Sequence, residues 1–168
     1  MKIGFFAIGP GLAADPDVIS LIAKTCEDCG YHSLWAPEHI VLLDQYSSKY
    51  PYAQDGRLPF PTMEVDILDP FLALSFAAAV TKKIRLGTGI CLLPERQPLT
   101  TAKAVASIDK LSGGRFDFGV GIGWLKEEFQ ALEIPWVKRA QRTRDYLMAM
   151  KSLWTDAESQ YDGEFCQF

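Results

Sequence analysis

The sequence predicts an α/β fold in which four βα units follow one another along the chain. Short apolar runs of strand length alternate with longer segments whose apolar residues recur at helical spacing, and two of those segments follow an Asp-Pro cap. The strands are apolar at nearly every position, as in parallel sheets that are covered on both faces. Two architectures fit this pattern: an open doubly wound sheet and part of a (β/α)₈ barrel.

The first βα unit spans residues 1–30. The apolar run IGFFAI at 3–8 has strand length and ends in the turn sequence GPG. Asp15 at the N-cap and Pro16 at the first helical position indicate a helix start, and Gly30 indicates its end. The apolar residues between them form a stripe, so one face of this helix is predicted to be buried.

The second unit contains a strand, a long excursion and a helix. Residues 33–36 form the strand, and the helix over 71–82 follows the cap Asp69-Pro70. The excursion over 40–68 carries scattered Tyr, Pro and Gly residues. It is longer than most connections in compact domains, which favours a functional role.

The third and fourth units repeat the alternation. The third strand is predicted over 84–93 and the third helix over 98–111. The fourth strand is predicted over 115–122, followed by a loop over 124–136 and a helix over 138–155.

Composition and charge exclude several classes of partner. The net charge is -4, and no cluster of Lys and Arg is longer than two residues, so no nucleic-acid partner is predicted. No apolar run approaches the length of about 20 residues that spans a bilayer, and the N-terminal stretch is too short and glycine-rich for a signal peptide. We therefore expect a cytoplasmic protein without a membrane partner.

Cys26 and Cys29 form a CxxC motif whose place in the sequence favours packing over chemistry. They lie just before Gly30, at the predicted end of a helix, where the helix dipole disfavours a thiolate. A four-ligand zinc site needs a second pair with suitable spacing, which the sequence lacks. We predict no metal site.

The stretch LWAPEHI at 34–40 ends an apolar strand on a carboxylate and an imidazole, Glu38 and His39. In both candidate architectures ligands bind at the carboxyl ends of the strands, which is where this pair lies. Histidine gains and loses a proton near neutral pH, so His39 is a candidate acid or base. The alternative is a surface histidine paired with Glu38.

Glycines occur at every second position in the fourth strand and just beyond it, at Gly119, Gly121 and Gly123. This spacing leaves one face without side chains, which admits either a flat ring or a close backbone contact inside a crowded fold. The stretch GPGLAA at 9–14 matches the dinucleotide fingerprint only loosely, and Asp15 would repel a pyrophosphate at the helix that follows.

Several of these motifs occur together in one known family. The segment PLTTAKAVASIDKLSGGRFDFGVGIGW at 98–124, with the opening strand, LWAPEHI and GTGICLLP at 87–94, resembles the N-terminal part of the luciferase-like monooxygenases. The resemblance covers essentially the whole chain and is strongest to the deazaflavin branch, whose members use coenzyme F-420. It implies a (β/α)₈ barrel, a usual homodimer, a small-molecule substrate, and coenzyme F-420 or alternatively FMN as cofactor.

The resemblance also implies a set of site residues. The acid-histidine pair of the family is matched by Glu38 and His39, with the histidine facing the cofactor ring. A non-proline cis peptide behind the ring is matched by Gly89-Ile90. The residues implied to be catalytic are Glu38 and His39, and those implied to bind cofactor are Gly89, Ile90, Cys91, Gly121, Gly123 and Trp124.

Two departures from the family pattern limit what can be carried over. Sugar-phosphate dehydrogenases of the deazaflavin branch have a catalytic glutamate where this chain has Trp124, and Glu127 or Glu128 could replace it only after a loop shift. A whole barrel takes about 250 residues, so we expect one luciferase-like domain over 1–168, truncated before the second half of the barrel. The alternative function is a non-catalytic half-barrel subunit or assembly module.

Overall fold

A computed structural model describes residues 1–59 and 64–168, so part of the excursion predicted over 40–68 lies outside the described residues. The chain divides into two compact units. Unit 1 comprises Met1–His39, Asp66–Cys91 and Lys103–Val120, and unit 2 comprises Ile40–Val65, Leu92–Ala102 and Gly121–Phe168. The single domain expected over 1–168 stays a prediction.

Strands and helices alternate along the described residues, as predicted. The strands are β1 (Gly4–Phe6), β2 (Ser33–Ala36), β3 (Arg85–Thr88), β4 (Cys91–Leu92), β5 (Phe116–Asp117) and β6 (Val120–Gly121). The α-helices are α1 (Pro16–Asp28), α2 (Pro70–Val80), α3 (Pro98–Ser112), α4 (Lys126–Ala131) and α5 (Arg139–Thr155).

Unit 1 is built on a parallel sheet whose strand order is β1-β2-β3-β5. The order follows the chain without reversal, as in a barrel, whereas a doubly wound sheet reverses direction at a switch point. Helix α2 packs against β2, β3 and α1, and these elements bury a largely apolar core. Its most buried members include Ile19, Ala23, Leu34, Leu74 and Leu86.

Both helix starts predicted from Asp-Pro pairs are confirmed. The Asp15 carboxylate accepts hydrogen bonds from the N–H groups of Asp17 and Val18 at 2.9 and 3.1 Å. The Asp69 carboxylate does the same for Phe71 and Leu72. The N–H groups of Asp17 and Val18 at the start of α1 are therefore bound to Asp15. They are not offered to a phosphate, as the dinucleotide fingerprint would require.

Two predicted strands are each divided in the structure. The run predicted over 84–93 becomes β3 and β4, which are separated by a cis peptide bond between Gly89 and Ile90, and this confirms the cis peptide that the family resemblance implied. The run predicted over 115–122 becomes β5 and β6, separated at Phe118 and Gly119. Apolar composition predicts extended chain at these places but not the local breaks.

The loop predicted over 124–136 contains a short helix, α4, that the sequence analysis missed. This helix has six residues and no side-chain cap, so neither length nor capping residues indicated it.

The cysteine pair lies at the end of α1, as predicted. Cys26 is buried, and burial raises the pKa of its thiol, with the neighbouring Cys29 adding to the effect. Cys29 is exposed and follows the last helical residue. The placement supports packing rather than redox chemistry.

A polar network closes the turn between α2 and β3 at the amino end of the sheet. The Glu27 carboxylate accepts hydrogen bonds from the N–H groups of Lys82, Lys83 and Ile84, at distances from 2.6 to 3.0 Å. The Arg115 guanidinium donates to the Ile84 carbonyl at 2.7 Å and to the carbonyl of Thr81. One carboxylate and one guanidinium therefore satisfy most of the backbone groups of this turn.

Glu27→Gln is expected to reduce the unfolding free energy by about 1–2 kcal/mol at pH 7, because hydrogen bonds to a charged acceptor are the stronger kind. Burial by itself would raise the pKa of Glu27, but the three N–H groups and the Arg115 charge outweigh it and lower the pKa. The stabilisation is therefore present above the pKa of the unfolded chain and is lost as the pH falls through the lower folded value. Urea unfolding at pH 7 and pH 3 measures it.

Glu158→Gln is the control for this experiment, since Glu158 is exposed. Its unfolding free energy should follow that of the unmodified chain at both pH values. A difference between Glu27→Gln and the unmodified chain that is the same at pH 7 and pH 3 would contradict the role of the Glu27 charge.

Candidate functional site

The carboxyl ends of β2 and β3 in unit 1 bring together five of the predicted site residues. Glu38 and His39 follow β2, and the Gly89–Ile90–Cys91 segment follows β3, which pairs with β2. The Gly89 N–H donates to the Ala36 carbonyl at 2.8 Å, so the end of β3 is attached directly to the end of β2. The two segments therefore leave the sheet side by side.

These five residues differ in how much of their surface is exposed to solvent. Glu38 is buried, with 5% of its surface accessible, and His39 is half-buried. Ile90 exposes 40% of its surface, whereas Cys91 is fully buried, so its thiol is not presented to solvent. Among these five residues, the accessible side chains are thus the His39 imidazole and the apolar side chain of Ile90.

Gly119 explains part of the glycine spacing by close packing. A Cβ atom at Gly119 would overlap the Thr88 carbonyl oxygen. The Thr88 hydroxyl donates to the Gly119 carbonyl at 2.7 Å, and the Gly119 N–H donates to the Thr88 hydroxyl oxygen at 3.0 Å. The absence of a side chain at this position allows the backbone that follows β5 to approach the end of β3.

The remaining predicted residues, Gly121, Gly123 and Trp124, lie in unit 2. Gly123 has a φ of +76°, and a Cβ atom there would lie 2.7 Å from the Phe129 ring. Arg139 donates from Nε to the Gly123 carbonyl at 3.3 Å and stacks on the Trp136 ring. For Gly119 and Gly123, crowding accounts for the missing side chains; a cofactor contact of Gly121 and Gly123 stays a prediction.

Trp124 packs within an aromatic cluster formed by the excursion. Its ring meets those of Tyr46 and Tyr50 edge-on, with centroids 5.7 and 5.3 Å apart. Tyr50 in turn meets Tyr52, which exposes 85% of its surface. Trp124 therefore helps to hold the excursion in unit 2.

Two adjacent glutamates of α4 bind the backbone of the same excursion. The Glu128 carboxylate accepts hydrogen bonds from the N–H groups of Ile40 and Val41 at 2.6 and 3.0 Å. The Glu127 carboxylate accepts from the N–H groups of Ser47 and Ser48 at 2.7 and 3.1 Å. We refer to this pair as the glutamate clasp.

The hydrogen bonds of the clasp bear on whether Glu127 or Glu128 could replace the catalytic glutamate that the sugar-phosphate dehydrogenases have at the position of Trp124. Burial would raise the pKa of Glu127, but the Ser48 hydroxyl and the N–H groups of Ser47 and Ser48 outweigh it and lower the pKa to about 2. Glu128 is fully buried. Both carboxylates thus bind backbone N–H groups, and the low pKa of Glu127 leaves it without a proton to donate near neutral pH.

A cleft of about 450 Å³ opens beside the clasp in unit 2. Its lining is polar and consists of Asp44, Gln45, Tyr46, Ser47, Arg57 and Glu127. Sites for planar organic ligands are mostly apolar, so the ends of β2 and β3 fit such a ligand better than this cleft does. Among residues 1–59 and 64–168, no group of His, Cys, Asp and Glu side chains is placed to hold a metal ion.

The sequence was compared with models of known protein families. The model of the luciferase-like monooxygenases matches residues 1–168. The chain belongs to the luciferase-like monooxygenase family. The resemblance noted from its motifs is therefore confirmed over the whole sequence.

Relatives of this luciferase-like chain are about twice as long. It is 39% identical over 146 residues to an uncharacterized protein of Mycobacterium tuberculosis, and the match covers 87% of this chain and 51% of that protein. It is 34% identical over 93 residues to an FMNH₂-dependent dimethylsulfone monooxygenase of Pseudomonas putida, covering 54% of this chain and 25% of the enzyme. The chain thus spans about half the length of the first of these relatives.

Solved structures confirm the predicted fold class. Monooxygenase RslO1 from Streptomyces bottropensis superposes with a TM-score of 0.76 at 27% identity, covering 100% of this chain and 47% of that one. The coenzyme F-420 dependent tetrahydromethanopterin reductase from Methanopyrus kandleri gives 0.72 at 23% identity, covering 99% and 44%. The α/β fold with a parallel sheet corresponds to about half of the luciferase-like barrel. The described residues include no helix long and apolar enough to cross a membrane.

Proposed function

We propose that this luciferase-like chain takes part in a cofactor-dependent redox reaction of a small organic substrate, with coenzyme F-420 as first candidate and FMN as second. The observation that carries the proposal is that the half-buried His39 follows β2 and the exposed Ile90 follows β3, the strand that pairs with β2. Family membership over residues 1–168 supports the reaction class.

The groups at these strand ends fit a planar ring cofactor. Ile90 presents exposed apolar surface, which suits a flat and largely apolar ring. His39 supplies a polar group that exchanges protons. When bound, the cofactor would supply two-electron chemistry: hydride transfer, or reaction with oxygen in the case of reduced FMN.

His39 is the proposed acid or base of the reaction. Its imidazole would donate a proton to, or accept one from, the substrate atom that gains or loses charge. Glu38 precedes His39 in the sequence and is buried, and it would orient the imidazole or bind a cofactor hydroxyl.

Gly89, Ile90 and Cys91 of unit 1 are proposed to support the cofactor ring, while a cofactor-binding role of Gly121, Gly123 and Trp124 stays a prediction. The preference for coenzyme F-420 rests on the resemblance of SIDKLSGGRFDFGVGIGW, residues 107–124, to the deazaflavin branch. FMN is the second candidate because the chain is similar to the FMNH₂-dependent monooxygenase. A homodimer is the proposed assembly.

A second candidate function is a non-catalytic half-barrel subunit. The observation in its favour is that the chain corresponds to only 51% of its mycobacterial relative. Such a subunit would bind another chain tightly and the cofactor weakly.

Titration of the purified chain with coenzyme F-420 and with FMN, followed by fluorescence, distinguishes the two functions. We expect a dissociation constant in the micromolar range, about -8 kcal/mol of binding free energy, for one of the two cofactors. NADH serves as a negative control, because Asp15 lies where the loosely matching stretch GPGLAA would place a pyrophosphate. Light scattering on the same sample gives the oligomeric state.

Binding of neither cofactor by a folded dimer would contradict the catalytic proposal and favour the subunit. Binding of both cofactors with equal affinity would contradict the preference for coenzyme F-420.

A further inference from the structure

Phe6 is a large apolar residue that unit 1 leaves exposed at the carboxyl end of its sheet. It ends β1, lies in register with Trp35 of β2, and exposes 56% of its surface. A single exposed apolar side chain is ordinary in a folded protein. Phe6 is distinguished by its place at the ligand-binding edge of a parallel sheet and by two further features of its surroundings.

The first feature is the backbone that follows it. Ala7 has a φ of +89°, a conformation that residues with a Cβ atom rarely adopt. The N–H groups of Ala7 and Ile8 both donate to the Trp35 carbonyl, at 2.9 and 3.1 Å. β1 therefore bends directly after Phe6, so that Ile8 is fully buried while Phe6 stays at the edge. Unusual backbone of this kind is concentrated at functional sites.

The second feature is the contact between Phe6 and Gly89. A Cβ atom at Gly89 would lie 3.0 Å from Cε2 of Phe6 and 3.5 Å from Cβ of Trp35. The phenyl ring therefore lies against the bare backbone of Gly89, and Ile90 follows with 40% of its surface exposed. Phe6, Gly89 and Ile90 together form what we call the strand-end surface.

We propose that Phe6 is a further cofactor-binding residue, on which the planar ring of the deazaflavin or flavin packs. The inference rests on the proposed function and extends it to a residue that neither the motifs nor the family pattern indicated. An aromatic side chain suits this role, because stacked or edge-on contacts between rings add to the burial of apolar area. The ligand class is a planar, conjugated ring system.

The test compares dissociation constants of coenzyme F-420 and of FMN for four chains: the unmodified chain, Phe6→Ala, Phe6→Leu and Ile3→Ala. Phe6→Ala should weaken binding of the preferred cofactor about tenfold, the usual effect of removing one stacking ring. Phe6→Leu keeps apolar area but no ring and should lose less. Ile3 is the matched control: it exposes 52% of its surface just before the amino end of the same strand.

The outcomes separate this inference from the proposed function. Equal affinity of the unmodified chain and Phe6→Ala would overturn the role of Phe6 and leave the proposed function intact, whereas no binding by the unmodified chain would overturn both. An equal loss in Ile3→Ala would also overturn the inference, since the effect would not be confined to the carboxyl end. So would a changed oligomeric state of Phe6→Ala with unchanged affinity, which would make Phe6 a subunit contact.

Discussion

His39→Ala is expected to lower turnover by about 10²–10⁴-fold while cofactor affinity changes by less than about tenfold. The reason is that the imidazole, half-buried at the end of β2, is the proposed proton donor or acceptor, whereas the ring would be held by neighbouring groups. Turnover is followed by cofactor absorbance with a small organic substrate that the unmodified chain converts. The pH profile is measured as well, because loss of the acid or base should remove one limb of it.

His32→Ala is the matched control, since His32 is the other histidine of the chain. It lies at the amino end of β2, where its N–H donates to the Ile3 carbonyl and its own carbonyl accepts from the Arg85 N–H. These backbone bonds survive the substitution, so turnover should be unchanged. Unaltered turnover in His39→Ala, or an equal loss in both variants, would rule out a catalytic role for His39.

Glu128→Ala is expected to lower the unfolding free energy by about 3 kcal/mol, because it leaves two backbone N–H groups without their carboxylate and removes a fully buried side chain. The excursion that follows Ile40 and Val41 should also open more often. Trypsin reports this directly, since Lys49 and Arg57 lie within the excursion. Cleavage at both sites should be faster than in the unmodified chain.

Two further variants show whether the charge and the position matter. Glu128→Gln keeps an acceptor oxygen of nearly the same shape and should lose only about 1 kcal/mol. Gln130→Ala changes an exposed residue of the same helix and should affect neither stability nor cleavage. Cleavage of Glu128→Ala at the rate of the unmodified chain would show that the clasp does not hold the excursion.

The elements that the sequence predicted best are those whose cause is local. Asp15 and Asp69 were identified as helix caps because a cap depends on residues two and three positions away, and the structure confirms both. The family motifs, which are also contiguous stretches, indicated the fold class correctly. The candidate site residues Glu38, His39, Gly89 and Ile90 come from such stretches, and their chemical roles stay predictions.

The features that the sequence missed depend on partners far along the chain. The Gly119 backbone sits against Thr88, 31 positions earlier. Glu128 binds N–H groups 87 and 88 positions away. No pattern of neighbouring residues encodes such a pairing.

The order of strands and helices, their apolar faces, the caps and the family follow from the amino-acid sequence, because propensity, periodicity and motif are properties of contiguous residues. The tertiary structure was needed to show which side chains are buried, exposed or bound to backbone. It showed that Glu127 and Glu128 bind backbone, that Cys91 is buried, and that Phe6 is exposed. Hydrogen-bond partners and solvent exposure are fixed when distant segments pack, so they become known only with the fold.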